Sequence, residues 1–126
     1  MMAKKNVFET FDKIVEYWSP QTVAEANGQL VKVCKIKGEF VWHHHDNEDE
    51  IFLVLKGKLT IQYRDRDDVV LEAGDIQTVL RGVEHCPKCD DEVMMLLIEP
   101  GETAHTGNVV TDMSKSIEAQ RAHLNS

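Results

Sequence analysis

Gly38-Glu-Phe-Val-Trp-His43-His44-His45-Asp-Asn-Glu-Asp-Glu50 is the stretch on which the reading of this sequence turns. Three consecutive histidines sit inside an apolar strand pattern and run into a block of acids. Side chains alternate between the two faces of a strand, so His43 and His45 point one way and His44 the other. Two imidazoles on one face, followed after a short turn by a carboxylate on the next strand, are metal-ligand types at workable spacing. His85, behind the turn-rich segment Arg81-Gly82-Val83-Glu84, offers a fourth donor. Neutral imidazole with carboxylate suits divalent Mn, Fe, Co, Ni or Zn, and no thiolate is needed. A solvated acidic loop explains Asp46 to Glu50 without a metal, but it leaves the placing of the histidines unexplained.

Outward from this stretch the periodicity is that of strands. Asn6 to Trp18 places Phe8, Phe11, Ile14, Val15 and Trp18 on one face of an amphipathic helix, which Ser19-Pro20 ends. Thr22 to Ala26 and Leu30 to Ile36 flank Asn27-Gly28, a strong hairpin signal. Further strands are predicted at Phe40 to His45, Ile51 to Leu55, Leu59 to Tyr63, Val69 to Leu71, Ile76 to Leu80 and Val93 to Ile98. About eight short strands with turn signals every 8–12 residues make an all-β sandwich or barrel. Beyond Gly101 the chain is polar, with a short helix predicted at Ser114 to Leu124. The expected organisation is a helical arm over 1–20, a barrel over 21–100 and a polar extension over 101–126.

Composition narrows the functions. The 126 residues carry 22 acidic and 14 basic side chains, a net charge of -8. That balance argues against a nucleic-acid or anionic-membrane partner. The longest apolar run, Val93 to Ile98, is far too short to span a membrane, and Lys4-Lys5 is followed by no apolar signal region. Three cysteines cannot complete a disulfide framework, so a reducing cytoplasm is the expected setting. Cys86-Pro87-Lys88-Cys89 lacks the second pair that a structural zinc site needs, and reads as a loop with two unremarkable thiols. Cys34 reads as core packing in a strand.

Two motifs resemble those of the cupins. Gly38, His43, His45, Glu50 and Gly57 follow the order of the first cupin motif, with four residues between His45 and Glu50 and six between Glu50 and Gly57. Gly74, Leu80, Gly82 and His85 occupy the places of the second. The first spacer is four residues rather than five, and Leu80 stands where the family has proline. A register through His44 and Asp46 restores the spacer but breaks the run to Glu50. The resemblance implies a double-stranded β-helix, or jelly-roll barrel, with His43, His45, Glu50 and His85 holding one divalent transition metal, Mn or Fe ahead of Ni or Zn. It further implies a small metal-chelating, oxygenated substrate and a dioxygenase, isomerase or hydrolase type of reaction. The alternatives are a metal-containing module that binds or senses a small ligand without turnover, and a metal-free barrel that stabilises a partner protein. Fold analogy does not decide among them.

Strand parity supplies the remaining expectations. Val41, Phe52, Val54 and Met95 should line the cavity beside the metal, with His105 at the barrel mouth or exposed on the tail. Phe40 and Trp42 should face outward. Barrel-facing positions read as mostly apolar, with no separate general base evident. Arg81 should pair with a nearby acid or an anionic substrate. Ile51, Leu53 and Leu55 make the outer face apolar too, so the helix, a second sheet or a partner must cover it, and a homodimer is expected.

Overall fold

Asn27 and Gly28 both adopt left-handed backbone, at φ 54° and 79°, as a two-residue type I′ hairpin turn requires. They join β1 (Gln21–Ala26) to β2 (Gln29–Glu39). The computed structural model describes residues 2–101 together with Thr103 and Gly107. Five more strands follow: β3 (Glu50–Lys56), β4 (Lys58–Tyr63), β5 (Val69–Glu72), β6 (Ile76–Val79) and β7 (His85–Pro100). All pairings are antiparallel, in the order β1-β2-β7-β3-β6, with β4 bridging β7 and β5.

The 16-residue β7 is the spine of the barrel. Its first residues, His85 to Lys88, pair with β4, whereas Met94 to Ile98 pair with β3. β2 runs along both halves, with a register shift between Ile36 and Gly38. One long strand thereby belongs to two sheet segments and closes them into the expected all-β jelly roll. The β3–β4 turn nests against β7 at Gly57, where φ is 93° and an added Cβ would sit 2.8 Å from the Glu92 carbonyl oxygen. Only glycine fits both constraints.

Alternation places Phe52 and Val54 of β3, Leu59 and Ile61 of β4, and Val93, Met95 and Leu97 of β7 in one buried cluster. This is the barrel interior. The opposite face of β2, β3 and β7 packs under α1 (Val7–Lys13), where Phe11 and Ile14 cover Val33 with Leu55, Met94 and Leu96 alongside. Asn6 caps this helix, its side chain accepting hydrogen bonds from the Phe8 and Glu9 amides at 3.0 and 3.1 Å.

Three sequence expectations are corrected. The helix stops at Lys13 rather than near Trp18, because Ile14 is already extended and the Trp18 amide donates to the Lys35 carbonyl. Pairing with β2 outweighs helical periodicity there. Trp18 consequently leaves the outer face and stacks on Phe40 inside the barrel, with centroids 4.5 Å apart, while Phe8 stays exposed. Residues 40–45 form no strand. They make a single bridge, His43 to His85, so alternation fails and Phe40 turns inward. Trp42 is half-buried, its ring covered by the Arg64 guanidinium at 4.1 Å. Finally, the Cys86–Cys89 segment is not a loop but part of β7. Both thiols are buried, Cys86 donating to the Phe40 carbonyl at 3.4 Å. Burial pushes the Cys86 thiol up to about 11 and Cys34 up to about 12, so neither is a ready nucleophile. The helix predicted at Ser114 to Leu124 lies outside the described residues.

Candidate metal centre

The barrel end where β7 begins brings four of the residues singled out by sequence together. His43, His45, Glu50 and His85 are all buried, and one donor atom from each lies within 4.8 Å of the others. A first-row ion bound at about 2.1 Å spreads its donors by at most about 4.2 Å, so donors within 4.8 Å of one another need to draw in only slightly to hold one. Its donor set, three imidazoles and a carboxylate, is of the type that first-row divalent ions prefer.

Each side chain has an identifiable support. His43 and His85 exchange backbone hydrogen bonds at 3.0 and 2.9 Å, fixing the loop to the start of β7. The Gly82 amide donates to the His45 carbonyl at 2.7 Å, tying the second motif to the first. Nδ1 of His43 lies 2.8 Å from the Val41 carbonyl, and Nδ1 of His85 lies 2.9 Å from the Val83 carbonyl. A carbonyl only accepts, so both Nδ1 atoms carry the proton and both Nε2 atoms present a lone pair to the cluster. Nε2 of His45 and His85 and Oε1 of Glu50 are buried without a well-formed hydrogen bond. They face one another instead, Glu50 Oε1 lying 2.9 Å from His45 Nε2 and 3.7 Å from His85 Nε2. Buried polar atoms left in this state are what a bound cation satisfies.

The electrostatics fit the same role. Burial, reinforced by neighbouring His85, lowers the His43 pKa to about 4, which keeps that ring neutral. Burial alone would lower His45 too, but the Glu50 carboxylate beside it reverses the direction and raises it. Burial works against the Glu50 charge, yet polar contacts with Glu99, His45 and His85 hold it well below the usual carboxylate range.

Beside the cluster lies a cavity of about 20 Å³, walled by Trp18, Phe40, Phe52, Met95 and Leu97, with His43 and Glu50 at its polar end. Phe52 and Met95 stand where parity puts them. Val41 and Val54 do not form its wall: Val41 is half-buried against the core, and Val54 is fully enclosed within it. Trp18 and Phe40 take those places because the loop and the helix end depart from regular structure. His105 lies outside the described residues, but Gly107 packs against the His43–His44 backbone. His44 points away, its Nε2 2.9 Å from Asp46 Oδ1. Arg81 pairs with Asp49, its backbone amide and guanidinium both donating to that carboxylate.

The mostly apolar interior carries two charged residue types that the sequence pattern does not mark. Lys32 and Glu99 are buried, with Lys32 Nζ 2.5 Å from Glu99 Oε1, and the Glu99 carboxyl is within hydrogen-bonding reach of Glu50. Burial, then the Glu50 charge, raises the Glu99 pKa well above the usual range against the opposing pull of Lys32. The inward parity of Met95 and Leu97 extends to Glu99 once β7 is seen to run past Ile98. No comparable signal marked Lys32, since both faces of β2 carry a lysine.

A family model described as the cupin domain matches residues 32–106. The chain is 40% identical to a cupin-2 domain containing protein from Shewanella frigidimarina NCIMB 400, whose crystal structure superposes with a TM-score of 0.73 over 76% of this chain and 93% of that one. It is 29% identical over 99 residues to an uncharacterized protein, YdbB, of Bacillus subtilis (strain 168), covering 79% of this chain and 88% of the relative. Hydroquinone 1,2-dioxygenase from Sphingomonas sp. TTNP3, solved in complex with 4-nitrophenol, has a TM-score of 0.73 at 22% identity over 79% of this chain. This chain spans a third of that longer one, and the likeness is one of fold. Among the described residues, no helix is long and apolar enough to cross a membrane.

Proposed function

The chain belongs to the cupin family, and on that premise we propose that His43, His45, Glu50 and His85 hold one divalent transition metal for chemistry on a small chelating substrate. The carrying observation is the convergence of four buried donors, with Nε2 of His45, Nε2 of His85 and Oε1 of Glu50 turned on one another without a well-formed hydrogen bond. The donor set itself suits Mn, Fe, Ni and Zn; Mn or Fe is put ahead of Ni or Zn on the resemblance to the cupins alone. A metal bound there supplies Lewis-acid activation of a substrate oxygen or a site for dioxygen.

The cavity narrows the substrate. Its wall is apolar and aromatic, with polar groups only at the metal end. A sugar phosphate would bury hydroxyls and phosphate oxygens against Phe40, Phe52 and Leu97 without partners, a costly arrangement. A compact molecule with an apolar body and one oxygen-bearing end fits this chemistry, and oxygenation is the reaction that asks least of the residues present. The cavity wall offers no general base apart from the ligands themselves. The role of this chain's side chains is then to orient the oxygen-bearing end at the metal and to exclude water from the apolar end.

The size of the cavity favours a second reading. About 20 Å³ admits little more than one water-sized molecule, so an organic substrate needs the wall to open, whereas a metal-containing module that binds a water-sized ligand does not. Oxygen uptake by Fe- and Mn-loaded protein over a panel of hydroquinones, catechols, diketones and hydroxy acids separates the two. Consumption with one class supports the enzyme. Tight binding without consumption supports the module.

The three free, buried thiols support a reducing, cytoplasmic setting. A homodimer accounts for the outer sheet face. Ile51 pairs in register with Ile98, and Ile98 with Val31, in a half-buried apolar row beyond α1, and the neighbouring edge strand exposes Ile76. Light scattering at micromolar concentration checks this, and a monomeric mass contradicts it.

A further inference from the structure

Strand register lines up polar side chains across the inner face of four neighbouring strands. Thr22 of β1 faces Lys32 of β2. Across β2 and β7, Leu30 faces Glu99 and Lys32 faces Leu97, so Lys32 and Glu99 are diagonal neighbours on the inner face. Ile51 faces Ile98, which sets Glu50 beside Glu99 across β3 and β7. Lys32, Glu99 and Glu50 are 1%, 3% and 5% exposed. A lysine ammonium buried this deep, against a carboxyl that also shares a proton with Glu50, carries a desolvation penalty that an apolar pair of similar volume would not. The remainder of the barrel interior closes on apolar side chains without one.

The four cluster residues differ in how they are held. His43 and His85 are aimed by backbone carbonyls at their Nδ1 atoms. The Glu50 carboxylate has no such tether: its polar neighbours among the described residues are His45, His85 and Glu99. Of these only Glu99 lies outside the cluster, and Lys32 holds it in turn.

We propose that Lys32 and Glu99 are positioning residues for the metal centre: Glu99 holds the Glu50 side chain so that Oε1 faces the imidazoles, and Lys32 holds Glu99. The inference rests on the metal-binding reading above. It assigns the buried pair a role in metal affinity and coordination geometry rather than in barrel stability.

Co(II) is the probe, because its visible bands report the ligand arrangement without any turnover. The parent protein, Lys32→Met/Glu99→Leu and Glu99→Gln are each titrated with Co(II) against a chelator, and the metal-free proteins are melted in parallel. The double variant replaces the pair by apolar side chains of similar volume, so the metal-free fold should persist. Its Co(II) affinity should fall about 10–100-fold, the usual cost of losing outer support to a ligand, with shifted bands. Glu99→Gln keeps an acceptor for Lys32 and a donor for Glu50, and should restore the parent spectrum and most of its affinity. Parent affinity and parent bands in the double variant overturn the proposal. If that variant does not fold, the reversed apolar pair Lys32→Leu/Glu99→Met replaces it, again leaving no unpaired buried charge, and the same two outcomes decide. Absence of Co(II) binding by the parent itself defeats the metal reading, and this inference with it.

Discussion

The two halves of the candidate metal centre are built by different means. His43 and His45 stand on an irregular loop, pinned by backbone hydrogen bonds to His85 and Gly82, and His43 and His85 have their tautomers set by backbone carbonyls. Glu50 opens a regular strand and is steadied by side chains, Glu99 and behind it Lys32. Backbone tethers, whether from two residues away or across the barrel, use main-chain groups that a side-chain substitution leaves in place. Side-chain tethers depend on residues 18 and 49 positions away in sequence and are lost with a single one of them.

His85→Ala tests the backbone-held half most severely. It removes a ligand rather than its support, so the affinity for Mn or Fe should fall by more than the roughly 10–100-fold expected for outer residues. Retention of parent metal content after dialysis would break the comparison at its root.

Trp18→Ala probes what keeps the loop in place without touching a ligand. The ring stacks on Phe40 three residues before His43, and its Nε1 donates to the Lys37 carbonyl at 2.9 Å. Losing a buried indole costs about 3–5 kcal/mol, to be read as a lower denaturation midpoint with unchanged m-value. A parent midpoint would mean that backbone bonds alone fix the histidine loop.

The pH response of the metal-free protein sharpens the picture within the loop-held half. His43 titrates at about 4 when folded against 6.5 when unfolded. Below pH 6.5 the unfolded chain takes up a proton that the folded one refuses. Stability therefore falls as pH drops from 6.5 towards 4, by at most ~3 kcal/mol from this group. His45, raised by the Glu50 carboxylate, works in the opposite direction and reduces the net slope. His43→Gln should flatten the loss between pH 7 and pH 5, measured by thermal melts; an unchanged slope contradicts the assignment.

The smallest effect is expected from Arg81→Ala. Its pair with Asp49 is exposed, and surface pairs of this kind contribute little. Melting temperature and Co(II) affinity should both stay at parent values. A marked loss of affinity would show that this rim pair helps to hold the second motif.

The same division explains what was legible in the sequence. The histidine spacing, the glycine turns and the alternation of β3 and β7 are local signals that carry the all-β class and the candidate histidines, while the jelly-roll topology and the choice of Glu50 come with the resemblance to the cupins. Reading residues 40–45 as a strand failed because the loop follows the barrel rim instead of the pleat, turning Phe40 inward beside His43. The helix was overextended because Trp18 satisfies a helical period while its contact with Phe40 is tertiary. Glu99 was hidden by one residue of strand length. Lys32 was hidden because Leu30-Lys32-Cys34-Ile36 and Val31-Val33-Lys35 are equally apolar patterns, and only the pairing of β2 with β7 decides which faces inward.

The account stands on metal binding at His43, His45, Glu50 and His85, and elemental analysis of untagged protein purified without a nickel column tests that most directly. It predicts about one divalent transition metal per chain, Mn or Fe ahead of Ni or Zn, all of them suited to an imidazole–carboxylate site. Protein that carries no metal, and takes up none on reconstitution, contradicts it.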